Sequence, residues 1–227
     1  ISILVTNHCN MACKYCYLGD KNIRDEKPKK VIDINFAKRA IKDYFSDQPR
    51  PAVRFFADGE PTLEMDIIKE LYEYSEGLTN HVSYFELQSN GMFSAEVAEW
   101  IRDHIDIVFI SCDGMPCVHD FQRVSKCGAP TSDVLERNIR IMVQNPKCQV
   151  GARSTITKYN VHKQKEMIDY FHDLGVKVLF ADKVFAPIGG SSEDFNVDYK
   201  TFVDEFVEAR QYAIDKYGDD FFYGTMY

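Results

Sequence analysis

Three thiols stand close together near the start of the chain, in Cys9-Asn10-Met11-Ala12-Cys13-Lys14-Tyr15-Cys16. Thiolates at this spacing, Cys-x3-Cys-x2-Cys, are ligands for soft metals, either zinc or an iron–sulfur cluster. A cubane cluster takes four ligands, so a site that supplies three leaves one iron open to another molecule. A structural zinc site is the alternative on spacing alone, with His8 as its fourth ligand. A disulfide framework fits poorly. The seven Cys (9, 13, 16, 112, 117, 127 and 148) are odd in number and follow no secretion signal, and bridges are typical of small secreted domains. A reducing cytoplasm, where free thiolates persist, is the expected compartment.

Further along, four other stretches carry residue types with chemical use. Asp58-Gly59-Glu60-Pro61 joins a glycine, which lets backbone come close to a ligand, to a carboxylate suited to an ammonium group. The same four residues would also make a tight turn into a helix, with Pro61 in its first position and Glu60 near its N-terminus. Gln88-Ser89-Asn90-Gly91 reads as a glycine-containing turn at a strand end. In Ser111-Cys112-Asp113-Gly114, strand alternation puts Ser111 and Asp113 on one side and Cys112 on the other. Arg123 is a guanidinium, which meets a carboxylate bidentately and stays charged. Cys112, Cys117, Cys127 and Cys148 lack tight spacing and read as small hydrophobes or loop residues. His81, His104, His119, His162 and His172 are scattered and form no ligand set.

The elements that must position these residues alternate between strand and helix. Apolar runs predict strands at Ile1–Thr6, Ala52–Phe56, Tyr84–Gln88, Ile107–Ser111, Val150–Ile156 and Val176–Phe180. Helices are predicted between them. One is capped by Asp33 with Phe36, Ala40, Ile41 and Tyr44 as its apolar positions. The next carries Ile67, Ile68, Leu71 and Tyr74 on one face. Others begin near Ser94, Asp133 and His162, and a long one runs from about Tyr199 to Tyr217. Gly19 to Lys30, the stretch of nearly twenty residues after the fourth strand, and Pro187-Ile188-Gly189-Gly190 read as loops. Six β–α units imply a parallel sheet with right-handed crossovers, either doubly wound or an incomplete barrel. Chemistry then belongs at the carboxyl ends of the strands, where all of the unusual stretches fall.

Together the motifs resemble the radical S-adenosylmethionine (SAM) superfamily, in the wording of its peptide-modifying branch with SPASM or twitch extensions, which includes ribosomal-peptide maturases. The resemblance covers almost the whole chain. It implies an α/β fold, a partial (β/α)6 barrel of the radical SAM type, with residues 1–217 as the core and 218–227 as the start of a truncated C-terminal extension. It also implies that Cys9, Cys13 and Cys16 hold a [4Fe–4S] cluster whose fourth iron is chelated by the amino and carboxylate groups of SAM, and that Tyr15 is the family's aromatic residue before the last Cys. Asp58-Gly59-Glu60-Pro61 is similar to the Gly-Gly-Glu-Pro that binds the methionine amino group, with Asp58 replacing the first glycine. Asn90 falls in a segment similar to Gln-Thr-Asn-Gly. Ser111 matches a serine that reaches the cofactor in Ser-x-Asp-Gly, and Arg123 an arginine that pairs with the SAM carboxylate. Val184-Phe185-Ala186-Pro187 lies where adenine is contacted.

In that family an electron enters the SAM sulfonium, the S–C5′ bond breaks, and a 5′-deoxyadenosyl radical abstracts hydrogen from an unactivated carbon. That step needs no protein acid or base, so no catalytic side chain is assigned. The resemblance implies a peptide or protein substrate, with cross-link maturation of ribosomal peptides (RiPPs) as the role, and a flavodoxin- or ferredoxin-like electron donor. The alternatives are a sulfatase-maturase-like enzyme, a small-molecule radical SAM enzyme, and a zinc-stabilised α/β binding module without enzymatic activity.

Composition narrows the partners. With 227 residues, 45% of them hydrophobic, the chain can bury a large core. A net charge of -8 argues against nucleic acid and anionic membrane surfaces. No apolar run approaches the length of a membrane-spanning helix.

Overall fold

Each strand pairs in parallel with the one before it, so the sheet runs β1 to β7 in chain order. The computed structural model describes residues 1–19, 28–78, 82–185 and 193–226. The elements are β1 (Ser2–Leu4), α1 (Ile34–Asp47), β2 (Ala52–Phe56), α2 (Met65–Leu78), β3 (Tyr84–Ser89), α3 (Ala95–His104), β4 (Ile107–Ser111), α4 (Pro116–Gln122), α5 (Ser132–Met142), β5 (Gln149–Ile156), α6 (Gln164–Asp173), β6 (Val178–Lys183), α7 (Tyr199–Tyr217) and β7 (Phe222–Gly224). A doubly wound sheet needs a reversal in strand order, and there is none. Right-handed crossovers that all step the same way put every helix on one face and curl the sheet toward a barrel. β1 and β7 are its two ends. The α/β fold and the partial-barrel architecture are as expected. The Pro187–Gly190 loop, His81 and most of the Gly19–Lys30 loop lie outside the described residues.

The two faces of the sheet differ in kind. Toward the helices point Val53, Phe55, Leu87, Val108, Ile110 and Leu179, all buried, and they meet Ile41, Ile68, Ile101, Ile139 and Phe171. The concave face carries Gln88, Phe109, Ser111, Arg153 and Phe180, each only half-buried. Strand alternation produces this split, and it leaves the inside of the curl accessible.

Three local differences from the expected pattern have physical causes. Phe36 was expected to face inward but is 58% exposed, and Ala37 and Ile41 take the buried face of α1. The Asp33 cap is as expected, its carboxylate accepting from Phe36 N at 2.6 Å. β6 begins at Val178 rather than Val176, because Gly175 (φ +84°) closes α6 and Val176 N donates to Phe171 O. That shift carries Asp182 and Lys183 to the strand's carboxyl end. The stretch after β4 contains α4, seven residues opened by Pro116 and too short to show helical periodicity. β7, beyond the six predicted strands, is anchored by the Tyr223 hydroxyl donating to Gln164 and by Arg210 Nη1 donating to Tyr223 O at 2.8 Å.

Candidate active site

The carboxyl ends of the strands surround a cleft of about 490 Å³. Into it face Cys9, Cys13, Tyr15 and Cys16 from the loop after β1, Asp58, Gly59 and Glu60 from the loop after β2, and Asn90, Ser111 and Arg123 beyond β3 and β4. Every residue predicted for the site therefore lines one cavity, although neighbours more than eighty residues apart in sequence are among them.

The cysteine loop is tied down on two sides. On one, Asn90 Nδ2 donates to Asn10 Oδ1 at 2.7 Å and lies 3.8 Å from Cys9 Sγ, and Met11 N approaches the same sulfur at 3.4 Å. On the other, Ala12 N and Lys14 N donate to the carbonyls of Val124 and Gln122, at 2.8 and 2.9 Å. The Tyr15 hydroxyl donates to Asp113 Oδ2 at 2.6 Å, and its ring packs edge-on to Phe195. Burial raises the Tyr15 pKa well above the ordinary phenol value.

The Cys13 thiol is held well above its ordinary pKa. The crowded cleft wall pushes it up to about 12, Arg123 pulls it down, and Cys9, Cys16 and Asp113 push it up. Such a thiol gives up its proton readily only to a metal or another strong positive partner. Among the described residues, no three His, Cys, Asp or Glu converge as a single-ion site requires, and His8 is exposed. A cluster spreads its thiolates over separate irons, and three thiols along one wall of a cleft suit it.

Glu60 is 1% exposed. Its Oε1 accepts from Thr62 N (3.1 Å), Thr62 Oγ1 (2.6 Å) and Ser89 Oγ (2.6 Å), and its Oε2 from Asn90 N (2.6 Å). It caps the 3-10 turn Pro61–Glu64 and fastens it to the end of β3. Oε1 is fully used, and only Oε2 retains acceptor capacity for an ammonium. Burial raises the Glu60 pKa, against the pull of these hydrogen bonds. Gly59 is required by close packing rather than by φ. A Cβ there would stand 2.1 Å from the His8 carbonyl oxygen, which also accepts from Glu60 N at 2.7 Å. Asp58 is exposed, and no non-glycine residue among those described has positive φ, so replacing the family's first glycine imposes no backbone strain.

Ser111 reaches the cleft, whereas Cys112 turns into the core and Asp113 is wholly buried. Arg123 Nε lies 3.1 Å from Asp113 Oδ1, an ion-pair distance that is off the N–H axis. Its Nη1 is 3.9 Å from Cys13 Sγ, and its Cζ stands 5.3 Å over the Tyr15 ring. Burial works against its charge, but Asp113, Tyr15 and Cys13 hold its pKa well above the usual value. Val184 and Phe185 also line the cleft; Ala186 and Pro187 lie outside the described residues.

Several residues that sequence reasoning did not select share this cavity, notably Arg153, Thr155, Asp182 and Lys183. Arg153 Nη1 donates to Gln88 Oε1 at 2.8 Å. Alternation along β5 and β6 was the available signal, but the misplaced start of β6 hid half of it. Cys112 and Cys148 are buried and Cys117 and Cys127 exposed. Burial pushes Cys148 up to about 12 and Cys112 higher, as for thiols that serve as core.

The profile of the Radical SAM superfamily matches residues 3–200. The chain belongs to the radical SAM superfamily. Membership brings a [4Fe–4S] cluster and SAM as cofactors, and the thiol-lined cleft fits them. Among curated relatives of this radical SAM chain, an uncharacterized protein of Methanocaldococcus jannaschii is 31% identical over 78% of the chain and 60% of the relative. A serine-type anaerobic sulfatase-maturating enzyme of Bacteroides thetaiotaomicron is 26% identical over 79% of the chain and 44% of that enzyme. The chain thus spans roughly half the length of these relatives. Among solved structures, native anSMEcpe with bound AdoMet superposes with a TM-score of 0.83 at 19% identity, over the whole chain and 64% of its own. Streptococcus suis SuiB bound to precursor peptide SuiA gives 0.75 at 14%, over the whole chain and 48% of its own. These two likenesses concern the fold.

Proposed function

We propose that this chain is the SAM-cleaving core of a peptide- or protein-modifying enzyme that abstracts hydrogen from its substrate, with cross-linking of a ribosomal peptide as the first reading. The observation that carries it is the convergence of Cys9, Cys13, Cys16, Glu60, Asn90, Ser111 and Arg123 on one cleft, at the mouth of a sheet whose concave face remains accessible. Together the cofactors supply a one-electron reductive cleavage and a carbon-centred radical. The chain's own residues bind and orient. Cys9, Cys13 and Cys16 hold the cluster. Glu60 Oε2, Asn90 and the backbone around Asp58 and Gly59 receive the ammonium end of SAM, while Ser111 and Arg123 receive its hydroxyl and carboxylate groups. Tyr15 closes the cluster loop against water. The concave face takes the substrate, and a cytoplasmic flavodoxin- or ferredoxin-like protein supplies the electron. In this proposal residues 1–217 form the cofactor-binding core, and residues 218–227, whose β7 completes the sheet, lead on to a C-terminal extension.

A second reading is formylglycine formation in a sulfatase, favoured by the sulfatase-maturating enzymes among the relatives. The test is anaerobic reconstitution with iron and sulfide, followed by reduction with SAM. Brown colour and 5′-deoxyadenosine are expected, and both should vanish in Cys13→Ala. A colourless, zinc-binding protein would refute the proposal. Co-production of the full enzyme with candidate peptides separates the two readings by mass spectrometry. Cross-linking gives a two-hydrogen loss without an aldehyde, whereas formylglycine reacts with a hydrazide probe.

A further inference from the structure

Asp113 is completely buried, and no step of the proposed reaction uses it. Its two oxygens gather four groups from three separate stretches. Tyr15 Oη donates from the cysteine loop at 2.6 Å, Gln122 Nε2 from the end of α4 at 2.9 Å, and Thr155 N from β5 at 3.0 Å. The fourth group, Arg123, stands 3.1 Å away and is the one full positive charge among them. Arg123 in turn extends Nη1 to within 3.9 Å of Cys13 Sγ. Removing Asp113 would leave the guanidinium, largely buried in the cleft wall beside Cys13, without its counter-charge, an unfavourable arrangement. With Asp113 present, the Cys13 sulfur meets an ion pair of no net charge, held in fixed orientation.

We propose that Asp113 is a positioning residue that fixes Arg123 beside the Cys13 sulfur and cancels its charge, thereby keeping the reduction potential of the cluster low. This rests on the function proposed above. Reduction moves one electron from the donor protein to the cluster, so the donor is oxidised by one electron and the added negative charge falls near Cys13. Net charge and hydrogen bonds around the sulfurs are among the factors that set such potentials. An uncompensated Arg123 would favour the reduced form and weaken its power to reduce a sulfonium. Tyr15, Gln122 and the Thr155 amide keep the carboxylate from following the arginine if it moves.

The experiment is a dye-mediated redox titration of the anaerobically reconstituted protein, following the electron paramagnetic resonance signal of the reduced cluster. It compares wild type, Asp113→Asn, Arg123→Gln and the double variant. Asp113→Asn should shift the reduction equilibrium at least tenfold toward the reduced form, about 59 mV for one electron. Arg123→Gln should shift it tenfold the other way, and the double variant should return to within about threefold of wild type. Loosening of the fold alone would move both single variants in the same direction. Shifts of the same sign, or no shifts, overturn the proposal. If Asp113→Asn fails to retain a cluster, Arg123→Gln decides, because an unchanged potential there also overturns it. A wild type that takes up no iron and sulfide refutes the functional reading and this inference with it. A wild type that does, with unmoved variants, refutes the inference alone.

Discussion

Two carboxylates are buried on the same rim of this sheet, and their surroundings are unlike. Glu60, after β2, is held by uncharged donors from Thr62, Ser89 and Asn90. Asp113, after β4, has three uncharged donors and one guanidinium. Hydrogen bonds alone do not offset the loss of water around Glu60, whose pKa rises. The difference teaches that the Glu60 side of the cleft is a mechanical clamp between two loops, whereas the Asp113 side also controls charge near the cysteines. His119 belongs to the second side. It is fully buried, Nδ1 accepting from Asp113 N at 3.3 Å and Nε2 within 3.1 Å of Thr131 Oγ1. Burial lowers its pKa to about 4 from 6.5, helped by Arg123 and opposed by Asp113 and Asp120.

The contrast can be broken or sharpened by measurement, and the largest effect is expected at His119. Its folded-state pKa lies below the unfolded one, so its contribution is present above pH 6.5 and is lost as pH falls through about 4. That lowering corresponds to about 3 kcal/mol. Urea unfolding across this range should show that loss in wild type, and His119→Gln should remove that part of the slope. An equal slope in both proteins would place the imidazole in water. On the clamp side, Gly59→Ala drives a Cβ into the His8 carbonyl. It should cost about 3 kcal/mol in unfolding free energy, at the upper end of overpacking penalties; a cost near zero would mean that the two loops are free to part.

Glu60→Gln is expected to cost about 2 kcal/mol at neutral pH, because an amide N–H would face donors that need an acceptor. Its pH trend should run opposite to that of His119. A raised carboxyl pKa contributes stability fully below the unfolded value of 4.5 and loses it as pH rises through the folded value. The penalty of Glu60→Gln should therefore be larger at pH 4 than at pH 7, as denaturant titrations at the two pH values would show. Asp58→Gly should be the smallest change, within about 0.5 kcal/mol by thermal unfolding, since Asp58 is exposed and free of backbone strain.

Much of the scaffold was legible in the residues. The runs Ala52–Phe56 and Ile107–Ser111 are strands within those bounds, and Tyr199–Tyr217 is one helix within its predicted limits. All are long or regular enough for periodicity to mark them. What escaped was short or shifted by a turn. α4 and β7 have too few residues for a pattern, and β6 moved because the Gly175 turn engages Val176. In the site, each motif signalled its own residues, but Arg153 and Asp182 had no motif to announce them. Asp113 was visible only as the neighbour of Ser111.

By itself the sequence determined the thiol spacing, the order of β–α units and the clustering of unusual residues at strand ends. These are properties of residue type and separation along the chain. Only the tertiary structure decided how the buried charges are matched. Asp113 gathers Tyr15, Gln122, Arg123 and Thr155, Glu60 spends Oε1 on the clamp, and Gly59 yields its Cβ space to His8. Partners of a buried carboxylate are chosen by which loops the curl of the sheet brings within hydrogen-bonding reach, and no separation along the chain encodes that distance.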